Sequence, residues 1–152
     1  MSLKTILVSP LMLGVFIVNS LIIAIVVLIH YEILHQLTHQ LPRLRVKHNF
    51  KIVIGVFGAL FAHIVEVWVF ALAYYVMIHI SGWGNLVGNS SGSLMDCAYF
   101  SFTTYTTLGF GDIQPVGEIR YLTGIESLTG LVLVTWTASF LYYEMKSYWK
   151  EN

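Results

Sequence analysis

Three apolar segments, each long enough to cross a bilayer, set the class of fold that this chain can adopt. They cover residues 6–29, 52–80 and 119–145, and about 20 helical residues suffice to cross the hydrocarbon. The composition agrees, because 57% of the 152 residues are hydrophobic and 11% are charged, whereas roughly a quarter of residues are charged in a soluble domain. The sequence therefore predicts an all-α membrane protein with three transmembrane helices.

The distribution of charge predicts how these segments are oriented. The formal net charge is zero, which provides no long-range attraction for nucleic acid. A basic cluster follows the first segment, and by the positive-inside rule it lies in the cytoplasm: Arg43, Arg45, Lys47 and Lys51. We therefore predict a multi-pass protein of the cell membrane (plasma or inner), with an external N-terminus and a cytoplasmic C-terminus.

A short polar run with two glycines lies between the second and third segments. Residues 106–112 read Thr-Thr-Leu-Gly-Phe-Gly-Asp. Glycines at alternate positions allow left-handed backbone dihedrals, so that successive carbonyls can point the same way. A row of carbonyl oxygens can replace the water around a dehydrated cation. Residues 94–106, just before the run, read as a helix too short to span, which is tolerated at membrane depth where protein buries it or it borders a water-filled path.

This run resembles the Thr-Val-Gly-Tyr-Gly-Asp signature of the potassium-channel selectivity filter, with Leu108 in place of Val and Phe110 in place of Tyr. The resemblance extends over residues 52–143 and implies a two-transmembrane pore domain, residues 52–145, in a homotetramer. Its parts would be an outer helix 52–80, a turret 81–93, a pore helix 94–106, a filter 107–112 and an inner helix 119–145. Outside it lie an N-terminal transmembrane helix 1–30, a basic, partly amphipathic linker 31–51 and a cytoplasmic tail 146–152.

The resemblance also assigns roles to individual residues. Thr106 would begin the filter sequence, and K⁺ would bind the backbone carbonyls of Thr107, Leu108, Gly109 and Phe110. The Thr107 hydroxyl would complete the innermost site, and Asp112, after Gly111, would stand at the outer mouth. The inner helix would line the cavity with Leu131, Val134, Ala138 and Tyr142, and Phe140 or Tyr142 could form a hydrophobic gate. The resemblance implies passive K⁺ conduction, with no cofactor other than K⁺, no soluble ligand and no catalysis.

Two departures from the signature bear on the rigidity of the filter. Phe110 lacks the hydroxyl by which Tyr would tie the filter to its surroundings. Thr103 stands where some relatives carry a carboxylate that bonds near the filter aspartate. Buried polar networks rigidify when they are complete. We therefore predict a filter that is more prone to inactivation, or to passing other monovalent ions.

The third segment contains a carboxylate and a glycine with possible roles. Glu126 lies about 10 Å below the outer end of the helix by helical rise. Because a buried carboxylate needs partners, we expect it to bond behind the filter with Thr103, Thr104 or Tyr105. Gly130 falls where many members of the family have a hinge glycine, but a small residue at that place also permits close helix packing.

Histidines provide further candidate sites. In the second segment, His63 and Glu66 share a helix face, and an ionisable residue at membrane depth is a functional candidate. The pair is open to three interpretations: a structural hydrogen bond, a proton- or cation-sensitive gating element, or a metal site. In the linker, His35 and His39 also share a face, which suits exposed histidines, a metal or a pH-dependent switch.

Two functional alternatives stand beside the K⁺-selective channel. One is a weakly selective monovalent cation channel. The other is an intramembrane sensor or metalloenzyme, which would require His63, Glu66 and Glu126 to converge around one site. The second alternative gives no reason for the glycine run.

Overall fold

The computed structural model of the chain describes residues 10–149. In chain order its helices are α1 (Pro10–Gln40), α2 (His48–Ile78), the short helix α3 (Leu94–Tyr105) and α4 (Ile119–Trp149). The three long helices have 31 residues each, or about 46 Å at the rise of an α-helix. All three are long and apolar enough to cross a membrane. The chain is thus a multi-pass, mainly helical membrane protein, as the sequence predicts.

Helix α1 continues through the first half of the predicted linker. The polar residues after position 30 predict a partly amphipathic linker 31–51, separate from the first transmembrane helix, whereas the structure has one helix from Pro10 to Gln40. The reason is local, because no glycine or proline lies between Gly14 and Pro42. The polar residues of this stretch bond along the helix, as in the 2.9 Å contact between Gln36 Nε2 and Glu32 Oε1.

Pro42 lies in a 3₁₀ turn, Leu41–Arg43, that follows α1. Helix α2 then begins at His48 and ends at Ile78, four residues earlier at its start and two earlier at its end than predicted. Helix α4 begins at the predicted Ile119 but runs four residues beyond 145, to Trp149. Residues 48–51 and 146–149 contain no glycine or proline that would end a helix. The predicted ends lie where the sequence becomes polar, and the helices continue beyond that point.

A two-stranded antiparallel sheet, which the sequence analysis did not predict, lies beside the glycine run. Strand β1 (Asn85–Gly88) falls within the predicted turret, and β2 (Ile113–Val116) directly follows residue 112. The register pairs Asn85 with Val116 and Gly88 with Ile113. The Asn89 N–H donates to the Asp112 carbonyl at 2.8 Å and continues this pairing. The sheet therefore fastens the loop before α3 to the chain that leaves the glycine run.

Helix α2 is central to the packing, with α1, α3 and α4 all in contact with it. The buried core between these helices is largely aromatic and aliphatic, and its largest members include Phe70, Tyr74, Tyr105, Leu122 and Leu133. Many large apolar side chains face outward instead, such as Leu28 and Phe57, each about two-thirds exposed. An outward apolar surface of this kind suits lipid or neighbouring subunits.

Candidate functional site

Residues 106–112 (the filter segment) leave the C-terminal end of α3 with a left-handed backbone. Thr107, Gly109 and Gly111 have φ values of 57°, 49° and 79°. Glycine adopts such angles without steric cost, whereas for the β-branched Thr107 they are unusual. The alternation predicted from the glycine spacing is therefore present in the backbone. The side chains of Leu108 and Phe110 are 58% and 67% exposed on the single chain.

Helix α3 supports the filter segment through its last carbonyl groups. The Gly109 N–H donates to the Thr103 carbonyl at 3.1 Å, and the Thr107 N–H donates to the Thr104 carbonyl at 2.9 Å. Amide groups that are turned back to the helix in this way leave carbonyls of the segment free for other contacts. The C-terminal end of a helix also carries partial negative charge, which favours a cation nearby.

Asp112 is braced by a residue that the sequence analysis did not select. The Tyr99 hydroxyl donates to Asp112 Oδ2 at 3.0 Å. Partial burial, and then this bond to the Asp112 carboxylate, raise the pKa of Tyr99, so the phenol keeps the proton that it donates. Thr103, the expected weak point, makes its own bond to the Phe100 carbonyl at 2.9 Å. Tyr99 thus supplies a link between α3 and Asp112 that does not need a carboxylate at position 103.

The start of α3 is fixed by a capping box. The Ser93 hydroxyl accepts a bond from the Asp96 N–H, and the Asp96 carboxylate accepts one from the Ser93 N–H. Asp96 Oδ2 also accepts bonds of 2.7 Å from both the N–H and the hydroxyl of Ser91. These bonds, with those from Ser91 the strongest, lower the pKa of Asp96 to about 2. Asp96 therefore holds the loop before α3 against the first turn of the helix.

Glu126 lies fully buried behind α3, but its partners differ from those predicted. It accepts bonds from the Ser101 hydroxyl at 2.5 Å and from the Tyr74 hydroxyl at 2.6 Å. The prediction that Thr103, Thr104 or Tyr105 would pair with it is wrong. Thr103 lies two residues after Ser101 and therefore about 200° away around the axis of α3, and the hydroxyl of Tyr105 bonds Glu66 instead. Glu126 still connects α4 to α3 and α2.

A second buried cluster, separate from Glu126, joins all four helices. Glu66 Oε1 lies 2.7 Å from His30 Nδ1, and Glu66 Oε2 lies 3.1 Å from His63 Nδ1. The Tyr105 hydroxyl donates to Glu66 Oε2, and Thr137 Oγ1 lies 3.0 Å from His63 Nε2. The predicted pair of His63 and Glu66 is therefore present. The convergence of both with Glu126, which the sensor or metalloenzyme alternative required, is not found.

Gly130 allows a close approach between α4 and the end of α3. A Cβ atom at this position would lie 2.2 Å from the Tyr105 carbonyl oxygen and 3.0 Å from Cγ of the Tyr105 ring. Real Cβ atoms essentially never come so close to a backbone oxygen. Gly130 was considered as a hinge or as a close-packing position. The structure shows close packing, and the contact is with Tyr105, the last residue of α3.

Comparison with known proteins identifies the family of the chain. Residues 62–145, more than half of the chain, match the protein family described as "Ion channel". The chain belongs to this ion-channel family. The matched region begins one residue before His63 and ends in α4, so it includes α3, the filter segment and both buried carboxylates. As a channel, the protein is not an enzyme, and the metalloenzyme alternative is excluded.

A curated relative supports the same placement within the family. The channel is 43% identical over 53 residues to "Potassium channel protein kcv" of Paramecium bursaria Chlorella virus 1. The similarity covers 30% of this chain and 56% of that protein, so the chain spans little more than half of the relative's length. No solved structure matches the chain significantly. The resemblance to the potassium-channel pore-domain family that was drawn from the filter segment is confirmed at the level of the family.

The face of α4 predicted to line a cavity is open on the single channel chain. Its four residues are all exposed: Leu131, Val134, Ala138 and Tyr142. Phe140, the other candidate for a gate, is partly buried. The spacing of three or four residues places the exposed set along one side of the helix. This side is available for a pore or for neighbouring subunits.

The bond between Tyr99 and Asp112 gives a testable prediction for the channel. In Tyr99→Phe the link from α3 to Asp112 is lost without a change in ring packing. Because Asp112 then has no tie to α3 through this ring, we expect a shift from the conducting toward the inactivated filter. Current decay during prolonged opening measures this shift. Tyr143→Phe, at a residue that is 74% exposed, is the matched control, and equal decay in both variants would show that the bond is not a brace.

The capping box gives a prediction on pH. Because the pKa of Asp96 is lowered from 3.8 to about 2 in the folded protein, its stabilising effect is present above pH 4 and is lost as the pH falls toward 2. Asp96→Asn should therefore be less stable than the wild type at pH 5, and the difference should shrink between pH 4 and pH 2. Thermal unfolding of both proteins across this range measures it. A difference that does not change with pH would contradict the assignment.

Several residues of these clusters were missed because their signal is weak in the sequence. His30 stands at the end of the first apolar segment and was not selected as a candidate site residue. Its partner Glu66 is 36 positions away. Ser101, Tyr74 and Tyr99 are ordinary polar or aromatic residues of helices, and only packing brings them to a carboxylate. The signal available in the sequence is that Ser101 and Tyr74 carry hydroxyl groups on the two helices that neighbour α4, and a buried carboxylate such as Glu126 needs donors of this kind.

Proposed function

We propose that this channel is a homotetramer that conducts K⁺ selectively and passively through the filter segment. The observation that carries the proposal is the left-handed, glycine-bearing backbone of residues 107–111 at the C-terminal end of α3, in a chain of the ion-channel family. The name of the viral relative, a potassium channel protein, favours K⁺ as the permeant ion.

The filter segment would bind K⁺ through backbone oxygens. The carbonyls of Thr107, Leu108, Gly109 and Phe110 would replace the hydration shell, and the Thr107 hydroxyl would complete the innermost site. Asp112 would stand at the outer mouth, where Tyr99 holds its carboxylate. Between Ser93 and Ile119 the chain contains no lysine or arginine, which agrees with the passage of cations. K⁺ is the cargo of this path and not a resident cofactor.

Four chains would be required to close the path. One chain supplies a single filter strand, and a ring of carbonyls around an axis needs several. The exposed side chains of Leu108 and Phe110 and the open face of α4 support such an assembly, because each would be covered by the neighbouring subunits or would border the axis. In the tetramer, Leu131, Val134, Ala138 and Tyr142 would line the inner cavity and its mouth.

The orientation follows from the charge distribution. The basic cluster between α1 and α2 would lie in the cytoplasm by the positive-inside rule. The filter segment would then open to the outside, with the N-terminus external and the C-terminus cytoplasmic. A cell membrane, plasma or inner, is the location that this arrangement suits.

A weakly selective monovalent cation channel is the second candidate. It is favoured by Phe110, whose ring has no hydroxyl to bond its surroundings, and by Thr103, which bonds to the Phe100 carbonyl within α3. Tyr99 supplies one brace in their place. The two candidates share every structural part of the path and differ only in how rigidly the filter holds its diameter.

Flux into liposomes, combined with native mass spectrometry, tests the proposal. We expect the purified protein to have the mass of four chains and to carry K⁺ down its gradient at least tenfold faster than Na⁺. Comparable K⁺ and Na⁺ fluxes would favour the weakly selective channel. Flux no greater than that of empty liposomes, or an assembly of another size, would overturn the proposal.

A further inference from the structure

The cluster of His30, His63 and Glu66 has the composition and convergence of a metal site. One ligand atom from each of the three residues lies within 4.8 Å of the other two. The His30 and Glu66 side chains are fully buried, and that of His63 is 16% exposed. Imidazole nitrogens with one carboxylate are the ligands that Zn²⁺ and related divalent cations accept in proteins.

The two histidine rings are oriented alike. Both present Nδ1 to Glu66, at 2.7 Å for His30 and 3.1 Å for His63. Both turn Nε2 toward the hydroxyl of Thr137, at 3.4 Å for His30 and 3.0 Å for His63. Ligating histidines characteristically bond through the second ring nitrogen to an outer partner that fixes the ring. Thr137 is such a partner for both rings at once.

Hydrogen-bond counting is consistent with a cation in the cluster. If both neutral rings use their proton on Glu66, both Nε2 atoms become acceptors, and the Thr137 hydroxyl has one proton for the two of them. With a cation bound to both Nδ1 atoms, each Nε2 carries a hydrogen and both can donate to the two lone pairs of Thr137 Oγ1. Every buried nitrogen is then satisfied. Without a cation, an additional proton on one ring would satisfy them. So would two neutral rings of opposite tautomer: His63 Nε2–H would donate to Thr137, the Thr137 hydroxyl to His30 Nε2, and the Tyr105 hydroxyl to His63 Nδ1.

The dimensions also suit a small cation. Tetrahedral ligands at about 2.0–2.1 Å from the metal are about 3.4 Å from one another. Side-chain rotations would widen the contacts of 2.7 and 3.1 Å to that spacing and bring the three ligand atoms, which lie within 4.8 Å of one another, around one point. The Tyr105 hydroxyl, which bonds Glu66 Oε2 and lies 3.0 Å from His63 Nδ1, would orient the carboxylate.

We propose that His30, His63 and Glu66 bind a divalent transition-metal cation of the Zn²⁺ class, with Thr137 and Tyr105 as outer hydrogen-bond partners. The site would fasten α1, through His30, to α2 and to the end of α3. Tyr105 lies two residues before Thr107, so an occupied site would steady the filter segment from behind. Only this effect on conduction rests on the proposed function. The site itself does not.

Metal content and Co²⁺ spectroscopy of the assembled protein in lipid nanodiscs test the site. We expect about one Zn²⁺ per chain after expression with zinc, and intense visible absorption of tetrahedral type after exchange for Co²⁺. His30→Gln and His63→Gln should each abolish both signals. The double variant His35→Gln/His39→Gln, at exposed histidines with metal-like spacing, should retain them. Tyr105→Phe should weaken Co²⁺ binding about 10–100-fold, as the loss of an outer partner does.

Wild-type protein that takes up neither Zn²⁺ nor Co²⁺ would overturn the proposal and identify a cluster held by hydrogen bonds alone. Signals that His35→Gln/His39→Gln abolishes and His30→Gln does not would also overturn it, and would place the metal at the exposed pair. Because His35→Gln/His39→Gln alters only exposed side chains, its spectrum decides between the two pairs even if a variant of the buried residues fails to assemble. Metal content is measured independently of ion flux, so a failure of the proposed channel function would not affect it.

Discussion

Replacement of Gly109 by alanine is expected to abolish K⁺ conduction while the protein still folds and assembles. Gly109 has a φ of 49°, at which an L-residue with a side chain costs about 1–2 kcal/mol. An added methyl group meets no atom of the chain within 4 Å, so the effect comes from the backbone. The strain would be relieved by rotation of the peptide, which removes a carbonyl from the path in every subunit. We expect liposome flux to fall at least tenfold.

Gly124→Ala is the matched control for this result. Gly124 lies within α4, and a Cβ atom there also meets nothing within 4 Å. In a helix, alanine is more favourable than glycine by about 1 kcal/mol. This variant should therefore conduct as the wild type does. Normal flux in Gly109→Ala, or equal losses in both variants, would show that the filter segment does not form the path.

Gly130→Ala is expected to destabilise the packing of α4 on α3. The new Cβ would lie 2.2 Å from the Tyr105 carbonyl oxygen, and a backbone group cannot move aside as the end of a flexible side chain can. Overpacking of this kind costs about 1–3 kcal/mol. Because Tyr105 bonds Glu66 and precedes the filter segment by one residue, we also expect altered conduction in the protein that does assemble. Thermal stability in detergent and single-channel recordings measure the two effects.

Comparison with Gly124→Ala again isolates the cause, since the two glycines lie six residues apart on the same helix. If Gly130 acted as a flexible hinge and not as a packing position, Gly130→Ala would preserve or raise the thermal stability and would change only the rate of opening. Unchanged stability would therefore contradict the close contact with Tyr105.

The filter segment and α3 could be predicted from the sequence because their signals are local. The alternate glycines set the backbone, and a run of 12 helical residues between apolar segments is too short to span. The extent of α1 was harder to predict. The polar residues after position 30 indicate an interface, but a helix continues through polar residues until a breaker such as Pro42 stops it.

Contacts between elements could not be predicted in the same way. The depth of Glu126 could be counted along one helix, but its partner depends on how α3 is rotated about its axis, and that rotation selected Ser101 over Thr103. His30 meets Glu66 only because α1 packs beside α2 at a particular offset. The four-residue strands beside the filter segment are too short for a pattern of alternation to reveal them.

The reversal potential of the purified channel in a planar bilayer, with K⁺ on one side and mixtures of K⁺ and Na⁺ on the other, tests the central claim most directly. A K⁺-selective filter predicts a shift of about 59 mV for each tenfold change in K⁺ at constant total salt, as for any single monovalent species at equilibrium. A reversal potential that stays near zero as Na⁺ replaces K⁺ would contradict selective conduction by the filter segment.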